Sequence, residues 1–150
     1  MRLRNSTKIS DKHLEQMIEF VDPGISKDTM VEIKPSRRLP SGYSWFRPKK
    51  KIGIWMPSKL HYPYRWNVTA ASRLPGVVLS EDENLVFLLA HELRHQWQYR
   101  RPPRGEWFPG CTSRSHNTHE RDACAYAWRK VRAWRKLQPR EVYKEFPSPT

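Results

Sequence analysis

Apolar residues recur along this chain in two rhythms, one suited to helices and one to strands. Leu14, Met17, Ile18 and Val21 fall three or four apart between Ser10 and Val21, the spacing that gathers them on one helical face. Asp22-Pro23-Gly24 then stops that helix. Thr29 to Lys34 alternates apolar and polar residues, as a half-buried strand does, and Pro35 closes it. Residues 36 to 42 read as a turn. Tyr43–Arg47 and Lys51–Met56 read as a hairpin joined through the Pro48-Lys49-Lys50-Lys51 run. Residues 57 to 75 contain Pro57, Pro63 and Pro75 with little periodicity, so loop is expected there. Gly76 to Leu79 reads as a short apolar strand.

The helical rhythm returns from Ser80 to Trp97, where Leu85, Leu88, Leu89 and Trp97 keep the spacing and Ala90 and Leu93 extend it. Ser80 followed by Glu83 is a capping box at its start. Residues 100 to 110 form a proline-rich loop, and a last helix is expected over about 118–137. Asn117 can cap that helix with Glu120 at its third position, a second capping box. Ala123, Cys124, Ala127, Val131 and Trp134 mark its apolar face, and Glu120 begins the same stripe.

A helix, a group of strands and then two helices predict an α+β layer fold. At 150 residues the chain is one domain by length, with residues 1–137 as the folded unit and 138–150 a proline-bearing tail that frays. No stretch approaches about 18 consecutive apolar residues, so no membrane span is expected. The first eight residues lack the apolar core of a secretory signal. Two cysteines, Cys111 and Cys124, fit a reducing cytoplasm better than a disulfide scaffold. Cytoplasmic residence and a monomer are the expectations.

The chemistry-bearing run is His91-Glu92-Leu93-Arg94-His95. On a helix, His91 and His95 lie one turn apart on one face, about 5–6 Å between Cβ atoms. Two neutral imidazoles so placed can grip one zinc ion, and the neighbouring Glu92 is placed to act on a water rather than to bind the metal. A catalytic site needs a third protein ligand. Glu120 is the best candidate, because a carboxylate on a core-facing stripe needs a partner. Its alternative role is to serve only the cap and the helix dipole.

His91-Glu92-x-x-His95 followed by Glu120-x-x-Ala123-x-x-x-Ala127 resembles the zincin metallopeptidases. More narrowly it resembles the gluzincin type, whose third ligand is a glutamate on a later helix. The resemblance covers roughly residues 77 to 135. Family members often have an aspartate after the first alanine, where this chain has Cys124. The SprT-like type, with a histidine as third ligand, is the runner-up, and His116 or His119 would serve there. The resemblance implies a zincin-like α+β fold: a small twisted, mostly antiparallel sheet over the motif helix, flanked by N- and C-terminal helices. An edge strand would hold a polypeptide substrate by backbone pairing. It implies one zinc ion per chain held by His91, His95 and Glu120, with Glu92 as general base for peptide hydrolysis. A donor to the developing oxyanion is also required; the candidates are His116, His119, Tyr99 and Tyr126.

Two further readings stay open. Cys111, His116, His119 and Cys124 are four ligand-type residues in a compact run that a structural zinc could use. The balance of 28 Lys and Arg against 15 Asp and Glu, a net charge of +13, points to polyanionic partners. Arg129, Lys130, Arg132, Arg135, Lys136 and Arg140 cluster with Trp128 and Trp134. A second group holds Tyr99, Arg100, Arg101, Arg104 and Trp107, and a third Trp45, Phe46, Arg47 and Lys49 to Lys51. Basic surfaces with aromatics hold single-stranded nucleic acid. Two functions are therefore expected as alternatives: a peptidase, with nucleic-acid-associated proteins as candidate substrates, or a non-catalytic nucleic-acid-binding module with a zincin-like fold.

Overall fold

A computed structural model describes residues 1–45, 49–66, 76–100 and 113–138, with the side chains of residues 100 and 113–117 excepted. It is an α+β structure with three helices, a four-stranded mixed sheet and a small two-stranded antiparallel sheet. The chain runs β1 (Arg2–Asn5), α1 (Asp11–Val21), β2 (Met30–Ser36), β3 (Ser41–Trp45), β4 (Lys51–Pro57), β5 (Tyr64–Trp66), β6 (Gly76–Val78), α2 (Glu81–Arg100) and α3 (Ser113–Leu137).

The main sheet has the order β1-β2-β4-β3. Its β1–β2 and β2–β4 pairs are parallel and only β3–β4 is antiparallel, so the expectation of a mostly antiparallel sheet is corrected. The reason lies in two elements. Parallel neighbours need a crossover, and α1 supplies it between β1 and β2. The hairpin then folds outward, so β4 returns beside β2 and leaves β3 at the edge. β1 is too short for its alternation to stand out in sequence. β2 also runs past Pro35, because the Ile33 carbonyl, and with it every second residue, faces β1. β1 ends opposite Ile33, so the proline's missing N–H lies where no strand asks for it.

The inner face of this sheet carries Val31, Ile33, Ile52 and Ile54, all buried against α1 and α2. The four apolar residues of α1 are buried as its rhythm predicts, and Ser10 caps it by accepting a hydrogen bond from the His13 N–H. The loop expected at 57–75 contains β5, whose Trp66 indole donates to Asn84 on α2 at 3.1 Å. At the start of α2, Ser80 accepts from the Glu83 N–H, and Glu83 reaches back to the Leu79 N–H at 2.7 Å. The capping box thus closes one residue further back than its usual form.

α2 and α3 run antiparallel. Near one end Arg135 lies against Glu83, and near the other Glu120 lies against His91 and His95. α3 begins at Ser113, five residues before the expected start, so Asn117 is inside it rather than capping it. Among the described residues no helix is long and apolar enough to cross a membrane.

Candidate metal centre

Helical spacing alone brings His91 and His95 together: their Nε2 atoms stand 3.0 Å apart. α3 delivers the third group. Glu120 sets one carboxylate oxygen 3.2 Å from His91 Nε2 and the other 3.1 Å from His95 Nε2. Because α3 starts early, Glu120 is clear of the helix terminus and free for this role. Four-coordinate zinc bonds of about 2.0–2.1 Å place neighbouring ligand atoms roughly 3.3 Å apart. The observed separations fit that span, and two imidazoles with one carboxylate are a donor set zinc accepts. His91, His95 and Glu120 can therefore hold a metal ion.

His95, Glu120 and Glu92 also shift one another's affinity for protons. Burial pushes the Glu120 carboxyl up, but hydrogen bonds from His91 and His95 more than offset it and hold it well below the usual range. Burial pulls the His95 imidazole down, while Glu120 and Glu92 push it up, with a net rise. Glu92 is 5 % exposed. Burial raises its carboxyl above the ordinary value despite the two histidines beside it.

A second layer of side chains fixes the ligands. The Gln98 amide nitrogen donates to the His119 carbonyl at 3.0 Å and to Asp122 Oδ2 at 2.9 Å. Its oxygen must then face His95 Nδ1, at 2.8 Å. That acceptor takes a hydrogen bond from His95 Nδ1 and turns Nε2 towards Glu120 and His91. Arg94 in turn grips Asp122 at 2.6 and 3.1 Å. His91 Nδ1 has Cys124 Sγ at 3.5 Å. Burial, with Glu120 and Glu92 nearby, pushes that thiol up to about 12. The carboxylate support looked for at position 124 is thus supplied from Asp122, through Gln98, to the other histidine.

The donors open onto a cleft of about 300 Å³ lined by β3 residues Gly42, Tyr43 and Ser44 on one side and by Tyr99 and the motif residues on the other. Gly42 touches Glu92 so closely that a Cβ there would lie 2.7 Å from its carboxylate oxygen. Gln96 holds β3 in place, donating to Ser44 Oγ at 2.8 Å and to the Trp45 carbonyl at 2.5 Å.

The other sequence candidates scatter. Tyr99 lines the cleft. Tyr126 donates its hydroxyl to the Val21 carbonyl at 3.0 Å, away from the cleft, so its proposed role at the oxyanion is corrected to anchoring α1. His119 is buried on α3 and is not among the described cleft-lining residues. The His116 side chain and Cys111 lie outside the described residues, and with them the four-residue Cys/His site. Of the basic group on α3, Arg129, Arg132 and Lys136 are exposed. Lys130 donates to the Phe20 carbonyl at 3.2 Å. Arg135 is committed inward, with two hydrogen bonds of 2.7 Å to Glu83 and one of 2.6 Å to the Val77 carbonyl. Trp128 is buried against Phe87, and Trp134 packs on Phe20. Arg140, Phe46, Arg47, Arg101, Arg104 and Trp107 lie outside the described residues, as does the side chain of Arg100.

Gln98, Asp122 and Gly42 were missed in sequence. Gln98 could have been found, since it follows His95 by three and shares its helical face. Comparison of the chain with protein-family models, curated proteins and solved structures returns no match in any of the three.

Proposed function

We propose that the protein is a zinc-dependent metallopeptidase of the zincin type, with His91, His95 and Glu120 as ligands and Glu92 as general base. The observation that carries this reading is the convergence of three zinc-type donors on the floor of an open cleft, with a buried carboxylate that is not a ligand beside them. Zinc, when bound, supplies a Lewis acid that activates water and polarises a carbonyl.

The chain's own residues supply the remaining chemistry. Glu92 takes a proton from the attacking water at its carboxylate and returns it to the leaving amine. Burial, which raises its proton affinity, makes it a stronger base than an exposed glutamate. β3 is the edge of the main sheet and its main chain runs along the cleft, so an extended peptide can pair with it beside Glu92. The missing side chain at Gly42 keeps that approach short. Tyr99 is the described candidate to donate to the developing negative oxygen.

The test is hydrolysis of an unfolded polypeptide by zinc-loaded protein, compared with Glu92→Gln. The variant is expected to keep its zinc and lose turnover by at least the roughly 10²–10⁴-fold contributed by acid–base catalysis. Equal turnover in the two proteins would remove Glu92 from the mechanism. No turnover by the zinc-loaded native chain would remove the peptidase.

A further inference from the structure

We propose that the outer face of the four-stranded sheet is a platform for a single-stranded polynucleotide. This proposal does not require the metal centre, which lies against the inner face of the sheet, although Tyr43 also lines its cleft. Strand register sorts side chains onto the two faces. With Val31, Ile33, Ile52 and Ile54 turned towards the helices, the cross-strand row Arg4–Glu32–Gly53–Tyr43 is turned away, as are the rows containing Lys34 with Trp55 and Lys51 with Trp45. The described helices pack on the other side.

Three features of this face suit one kind of partner. The first is the posture of its aromatics. A Cβ at Gly53 would collide with the Tyr43 ring, so the ring crosses β4 at that glycine, with the Lys51 ammonium 5.8 Å from its centroid. Trp55 adjoins it at 4.8 Å between centroids, and Trp45 is 59 % exposed at the end of β3. Aromatic rings carried on a sheet face are stacking surfaces for unpaired bases.

The second feature is charge. Glu32 is the sole carboxylate among the outward strand positions, and Lys51, Lys34 and Arg4 surround it at 2.9, 3.1 and 3.6 Å. One negative charge against three positive ones leaves a surplus and holds the cations beside the rings. The third is continuity. Just past the Lys34 end, an open depression of about 590 Å³ is lined by Arg37, Arg38 and Lys59, which extends the track available to phosphates.

Together these favour a strand with accessible bases. A duplex keeps its bases stacked inside, and an acidic peptide makes little use of an aromatic cluster. The basic stretch of α3 offers less, because its tryptophans pack inward and Arg135 is taken by Glu83.

The experiment is fluorescence anisotropy of the full chain with labelled 12-nucleotide oligo-dT and oligo-U. A 12-base-pair duplex and polyglutamate serve as competitors. Single strands are expected to bind in preference to both competitors, and the two oligonucleotides tell DNA from RNA. Tyr43→Leu and Trp55→Leu should each weaken binding by about tenfold. Lys34→Gln should lower the salt dependence by about 0.7 in logarithmic slope, one phosphate contact on a single strand. If Trp55→Leu does not fold, Trp45→Ala, at an exposed position, and Lys34→Gln, at a half-exposed one, carry the test. The triple variant Arg129→Glu, Arg132→Glu, Lys136→Glu should cost less than the Tyr43 change. The proposal is overturned if the duplex or polyglutamate competes as well as a single strand, or if the α3 variant loses binding while the sheet variants keep it.

Discussion

The two ends of the α2–α3 pair each hold a carboxylate, and they do so in opposite ways. At one end Glu83 is fully buried and Arg135 forks onto both of its oxygens. That carboxylate has a permanent counter-charge and nothing left to offer. At the other end Glu120 faces two imidazoles across a cleft open to solvent. Its partners can be neutral, and their lone pairs converge with its own on one point. A buried charge closed by arginine is architecture. The carboxylate faced by two imidazoles belongs instead to a trio of side chains that could hold a metal ion.

The sharpest way to break the contrast is to remove the open end. Glu120→Ala should cost more metal affinity than the roughly 10–100-fold typical of an outer partner and leave the fold in place. Metal titration with circular dichroism checks both halves. Retained affinity would remove Glu120 from the metal centre.

Removing the closed end should do the reverse. Arg135→Met leaves Glu83 buried without compensation and should destabilise the fold by about 3–5 kcal/mol, read by urea denaturation. Metal binding by the folded fraction should be unchanged. Replacing both partners, Arg135→Met with Glu83→Leu, should recover much of the loss.

A smaller effect is expected at Gln98, which positions His95 without reaching the ion. Gln98→Ala should weaken metal binding roughly 10–100-fold and shift the His95 imidazole resonances in nuclear magnetic resonance spectra.

The smallest effect concerns Glu32, another carboxylate closed by cations. A hydrogen bond from Lys51, reinforced by Lys34 against the cost of burial, holds its carboxyl at about 2, below the ordinary 4.5. A depressed carboxyl stabilises the fold fully above its unfolded value and loses that contribution as pH falls towards the folded one. Native protein should therefore exceed Glu32→Gln in stability at neutral pH, with the gap closing between about pH 4.5 and 2. A gap independent of pH would contradict the pairing.

What could be read from sequence follows the range of the interactions. α1 and α2 repeat their chemistry every turn, so their apolar faces and the pairing of His91 with His95 were visible locally. Glu120 was found because the same periodicity set it on the stripe of α3. The beginning of α3 was not found, since residues 113–117 carry no apolar rhythm. β1 and β5 are too short to alternate convincingly and are stabilised by partners distant in sequence. Gly42 against Glu92 and Asp122 behind Gln98 are contacts across 50 and 24 positions. No local pattern announces them.

The hairpin of β3 and β4 has one more consequence. Sliding β4 by a single residue would exchange Ile52 and Ile54 for Gly53 and Trp55 on the buried side. The same slip would carry Gly42 off Glu92. The grease that fastens this sheet to α2 is therefore also the ruler that spaces the cleft, and hydrophobic mistakes far from the imidazoles would register there as lost alignment.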